Sequence, residues 1–180
     1  EDLADKLILR QQLQQQHQQR RRTGFLMAMA ASIAFAVGIS FSLLRLGPID
    51  LAEHALAHVN HESVALHLDQ NVDFKQVNAR LASLKNFGNA KFIQQPGKVY
   101  FSSYCDFQGV KSLHLVLQGE QGKVTLFIVP LEKRMVLDQT FADSQYQGIG
   151  FETADAFILI VGEDKSDLNY VKNEISNIFI

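Results

Sequence analysis

One cysteine, Cys105, is all the thiol chemistry this 180-residue chain carries, so it can form no internal disulfide. Phosphate-cradling loops are also missing. Gly148-Ile149-Gly150 leads into strand-like sequence with no basic residue beside it and no helix after it, and reads as turn or bulge glycines. Positive charge is scarce where a nucleic-acid binder would need it. Residues 47–180 hold 11 Lys/Arg against 16 Asp/Glu, a net −5, which argues against direct DNA binding. No nucleophile, base and orienting acid stand in a recognisable set, so no enzyme is expected. Charge of either sign is absent from Gly24 to Leu44.

That last absence organises the chain. Gly24 to Leu44 is 21 residues, which as a helix measures roughly 31 Å at about 1.5 Å per residue and matches a hydrocarbon core of about 30 Å. Phe25, Leu26, Met27, Met29, Ile33, Phe35, Val37, Ile39, Phe41, Leu43 and Leu44 fall on every face, where a surface helix would show a polar stripe. Ser32, Ser40 and Ser42 can bond back to the helix backbone. A core helix would be shorter. A cleaved export signal would have a shorter apolar region ending in a small-x-small site, whereas this one ends in Leu43-Leu44-Arg45-Leu46. The expectation is a retained transmembrane helix over 24–44, with the lipid bilayer as first partner.

Arg20, Arg21 and Arg22 precede the span, with Lys6 and Arg10 further back, and only Arg45 follows closely. The positive-inside rule then places residues 1–23 in the cytoplasm and 47–180 in the periplasm of a bacterial inner membrane. Ala30, Ala34 and Gly38 form a small-xxx-small series that would suit a homodimer. The stub 1–23 reads as a juxtamembrane helix. It either continues the span or docks a short apolar stripe, Leu3, Leu7 and Ile8, on a cytoplasmic partner. The first residue is Glu1, not Met, so further sequence is expected upstream.

Residues 47–180 read as a small α+β domain. Gly47-Pro48 ends the span, and Asp50 is placed to cap a helix running to about Leu68. A second helix spans 73–86, with Asp73 and Gln76 in a capping-box arrangement. Period-two patterning follows in "GKVYFSSYCDF", "SLHLVLQ", "KVTLFIV", "RMVLDQTF", "YQGIGFET" and "AFILIVG". The clearest hairpin joins "SLHLVLQ" to "KVTLFIV" through "GEQG". A last helix covers about 166–178. The expected architecture is two helices, a mostly antiparallel sheet of about five strands and a C-terminal helix, with the helices on one sheet face.

Three side-chain groups could carry chemistry. His54, His58 and His61 share a helix face at i, i+4 and i+7, opposite the core arc. They are either solvated or interface histidines, or a site for zinc or for pH response. Glu62 lies on the flank, outside any H-E-x-x-H order. Cys105 is either a buried strand thiol or a redox or interface residue, and His114 on the neighbouring strand could meet it. Asp164 to Asp167 reads as the start of the last helix rather than a calcium loop.

Several of these stretches together resemble a known family. The stub "EDLADKLILRQ", the arginines before "MAASIAFAVGISF", then "EHALAHVNHE" and "SLHLVLQGEQGKVTLFIVP" resemble an uncharacterised family of bacterial single-pass membrane proteins. Its members look like anti-sigma factors and tend to be encoded beside extracytoplasmic-function sigma factors. The resemblance implies a sigma factor as cytoplasmic partner, a signal or partner in the periplasm, and His54, His58, His61, Cys105 and His114 as motif positions.

Overall fold

The computed structural model describes residues 2–45, 47–85, 87 and 90–180; within the first helix it describes side chains at 10, 20 and 23–42. The chain divides into two compact units, Glu1–Gly47 and Pro48–Ile180. The first is one uninterrupted helix, α1 (Asp2–Arg45). Its section Thr23–Ser42 is long and apolar enough to cross a membrane, a test of length and composition that a signal sequence also passes. None of that section is buried: Phe25 is 67% exposed, Met27 74% and Phe35 72%. Left in water, such surface costs about 25 cal/mol per Å². Ser32 satisfies its hydroxyl by donating to the Ala28 carbonyl at 2.9 Å. Arg20 is exposed. The side chains of Leu3, Leu7, Ile8, Arg21 and Arg22 lie outside the described ones.

The second unit begins with a two-residue strand, β1 (Ile49–Asp50), and then α2 (Leu51–His61). The Asp50 carboxylate accepts from the backbone N–H groups of Ala52 and Glu53 at 2.9 and 3.0 Å, satisfying donors that have no partner inside the helix. The helix is shorter than the expected run to Leu68. It stops at His61, and a 3₁₀ turn (Ser63–His67) takes over. Next comes α3 (Phe74–Ala82), capped by Asp73, which accepts from Lys75 N–H at 2.6 Å.

Six strands then form one antiparallel sheet: β2 (Val99–Phe107), β3 (Val110–Gln118), β4 (Lys123–Pro130), β6 (Thr140–Ala142), β7 (Gln147–Glu152) and β8 (Ala156–Gly162). Their order in space is β2-β3-β4-β8-β7-β6. The stretch "RMVLDQTF" divides. Its start, β5 (Met135–Val136), pairs in parallel with β1, and its end becomes β6. Each of the six period-two stretches supplies one strand of this sheet, so its size agrees with the expectation of about five, and the split adds only the small β1–β5 pair. The hairpin β3–β4 closes at Gln118 opposite Lys123, as the "GEQG" turn predicts. The chain ends in α4 (Lys165–Ile178).

Helices cover both sheet faces rather than one. On one side Leu113, Leu115 and Leu117 of β3, Leu126 and Ile128 of β4, and Ile158 and Ile160 of β8 pack with Val77 and Leu81 of α3 and Leu168, Val171 and Ile175 of α4. On the other, Phe107, Phe127, Val129, Phe157, Leu159 and Val161 pack with Leu51, Ala55 and Val59 of α2. The reason stands in the sequence of β4 and β8, where unbroken apolar runs give each strand two apolar faces, and both must leave water. Gly148 and Gly150 lie within β7 rather than in a turn. Phe141 and Leu137 lie directly over them, so that a Cβ at Gly148 would sit 2.0 Å from Phe141 Cε2 and one at Gly150 2.5 Å from Leu137 Cδ1. Close approach, not backbone freedom, accounts for these glycines.

Candidate functional site

The α2-covered face of the sheet holds a polar cluster in a largely apolar layer. Its centre is His114 on β3, opposite Ser103 of β2 and Phe127 of β4. The alternation that sends Leu113 and Leu115 to the α3/α4 side sends His114 to the α2 side. It is 1% exposed. Phe101 packs edge-on to its ring at 5.2 Å between centroids, and Phe127 lies tilted at 4.8 Å. His58 of α2 meets it edge-on at 5.2 Å.

His58 is half-buried, and Phe127 and Phe107 hold its ring at 5.3 and 6.5 Å. One turn on, Glu62 occupies the position just past the end of α2, where its N–H still bonds the His58 carbonyl at 2.8 Å. The i, i+4 spacing brings the carboxylate beneath His58. Glu62 Oε2 stands 3.1 Å from His58 Nε2 and 3.4 Å from His114 Nδ1. Close as these approaches are, His58 Nε2 and both ring nitrogens of His114 are buried without a well-formed hydrogen bond. One ligand-type atom from each of His58, Glu62 and His114 lies within 4.8 Å of the other two.

The electrostatics keep both rings neutral. Burial, reinforced by the neighbouring His58, pushes His114 down to about 3. Burial also lowers His58 below its ordinary value, against the opposing pull of Glu62. A neutral imidazole has a free lone pair, the form in which histidine ligates a metal. The cluster therefore presents two nitrogens and one carboxylate oxygen, a donor set suited to a divalent transition ion.

The sequence-predicted residues divide around this centre. Of His54, His58 and His61, only His58 belongs to it. His54 Nε2 is engaged with the Asp106 carbonyl at 2.8 Å, with its ring against Phe107 at 4.6 Å. His61 is exposed. The helix turns His58 partly inward, whereas the three histidines were expected together opposite the core. Cys105 is a buried free thiol in the same apolar layer. Burial, helped by the charges of Glu62 and Asp106, pushes it up to about 12, so it keeps its proton and lacks the thiolate that redox or nucleophilic chemistry requires. Glu62, set aside in the sequence as a flanking residue, proves to be the third member. Its i, i+4 relation to His58 was the available signal. His114 could be joined to them only through the sheet.

Outside this cluster, Asp167 of α4 is buried and polar. It accepts from Gln121 and Gly122 N–H at 2.7 and 3.0 Å and so ties the β3–β4 turn to the last helix. Asp164 caps that helix through Ser166 N–H at 2.6 Å.

Among known families, residues 1–179 match one described as "Protein of unknown function (DUF3379)". No curated protein and no solved structure matches the chain.

Proposed function

The chain belongs to that DUF3379 family, and on this footing we propose that it is a single-pass inner-membrane regulator of the anti-sigma-factor type. The N-terminal arm would hold a cytoplasmic partner, a sigma factor, and the Pro48–Ile180 domain would bind a signal or partner in the periplasm. The observation that carries this reading is α1 itself. One helix runs without a break from the polar arm through the apolar section. At about 1.5 Å per residue, its 44 residues extend roughly 66 Å, about twice the thickness of the hydrocarbon core. Lipid accounts for the exposed Phe, Met and Ile side chains of 23–42. The arginines at 20–22 orient the helix. The resemblance of the arm and span to anti-sigma-like membrane proteins supports the regulatory part.

A second reading, a membrane-tethered periplasmic interaction module with no regulatory arm, draws support from the self-contained cores of the Pro48–Ile180 unit. The two readings part at the arm. Full-length protein in mild detergent should co-purify a sigma factor, and deletion of residues 2–13 should abolish capture. Failure of the intact chain to capture any sigma factor would leave the tethered module as the better account.

A further inference from the structure

We propose that His58, Glu62 and His114 form a zinc site, with His58 and His114 supplying nitrogen and Glu62 supplying a carboxylate oxygen. This does not depend on the membrane or sigma-factor readings. Ligand atoms about 2.0–2.1 Å from a tetrahedral zinc ion lie roughly 3.3–3.5 Å from one another. The Glu62 oxygen already stands 3.1 and 3.4 Å from the two imidazole nitrogens. Those two distances are close to the edges of such a tetrahedron, and the nitrogens concerned have no well-formed hydrogen bond. A metal between the three would satisfy two of the orphaned ring nitrogens, which otherwise cost free energy in a buried layer.

The surroundings fit the same purpose. Phe101, Phe107 and Phe127 fix the two rings, so little rotamer freedom remains to be lost on binding. Glu62 is half-exposed and gives the ion a path from solvent. Three protein ligands leave a fourth position for water or for an external ligand, the pattern of zinc sites that bind or act on something. His54 borders the site but spends its Nε2 on Asp106. Cys105 lies outside the converging set.

Calorimetry with zinc on the untagged full chain in detergent micelles tests the site, with cobalt(II) absorption as a second probe of tetrahedral geometry. Wild type should bind one zinc per chain. Glu62→Gln, on the exposed side where the fold is not at risk, should weaken binding at least tenfold, as should His58→Ala. His61→Ala and His54→Ala should bind like wild type. His114→Ala removes a buried ring and could unfold the layer, so the result rests on Glu62→Gln with its circular dichroism unchanged. Absence of saturable zinc binding by wild type would overturn the proposal. So would binding that survives Glu62→Gln but is lost in His54→Ala or His61→Ala.

Discussion

Cys105 keeps its proton because the folded sheet withholds both water and counter-charge from its sulfur. Its pKa is raised from an ordinary value near 9 to about 12. Between those values the unfolded chain releases the thiol proton and the folded chain does not, so stability falls as pH rises through the window. At pH 10, one unit above the ordinary value, the loss from this group should be about 1.4 kcal/mol. Denaturant midpoints at pH 8 and pH 10 should therefore converge more closely in Cys105→Ala than in wild type; equal alkaline losses in the two would refute the assignment. Asp167 holds two parts of the fold together. Its carboxylate is the acceptor for two backbone N–H groups of the β3–β4 turn. Asp167→Ala should cost about 2–3 kcal/mol in urea unfolding, with Asp167→Asn losing less, since one acceptor oxygen remains.

Elements bring their own dependences. The N-terminus of α2 rests on Asp50, which receives two N–H groups. Asp50→Ala should cost about 1 kcal/mol of stability and, because α2 carries His58 and stops just before Glu62, should also weaken zinc binding while leaving all three ligands in place. Calorimetry beside a melting curve would read both effects, and an unchanged melting midpoint would show the cap to be idle. In α1, Phe35 lies in the middle of the apolar section and is exposed. Phe35→Arg should disfavour insertion by about 3 kcal/mol, seen as a shift of the chain from the membrane to the soluble fraction. Retention in the membrane fraction at wild-type levels would mean that something other than this helix anchors the chain.

For the whole molecule, the division into two units predicts that they separate. Residues 48–180 expressed alone should be soluble and should melt cooperatively, because both core layers are built within that unit. A non-cooperative melt would contradict it. Much of this arrangement could be read before folding is considered. The apolar section of α1, the caps Asp50, Asp73 and Asp164, the hairpin β3–β4 and the start of α4 near Ser166 all rest on neighbours a few residues apart. Less legible were the end of α2, which stops at His61 while its amphipathic pattern runs on to Leu66, and the placing of helices on both faces. The latter was hinted at by the unbroken apolar runs of β4 and β8, but a run of that kind names no partner. The role of Asp167 had no local signal, since the N–H groups that donate to it lie 45 and 46 residues earlier in the chain.

Sequence alone determined the apolar helix, the α+β character of residues 47–180 and the alternation that turns His114 away from Leu113 and Leu115, because hydrophobic periodicity and capping act over a turn of helix or a few residues of strand. Tertiary structure alone decided that His114 meets His58 and Glu62, that His54 is diverted to Asp106 and that Cys105 is sealed from water. Those outcomes depend on laying α2 over the sheet face that carries Phe107, Phe127 and Leu159, and the free energy that does so is the burial of apolar area, which is blind to the polar groups it brings together.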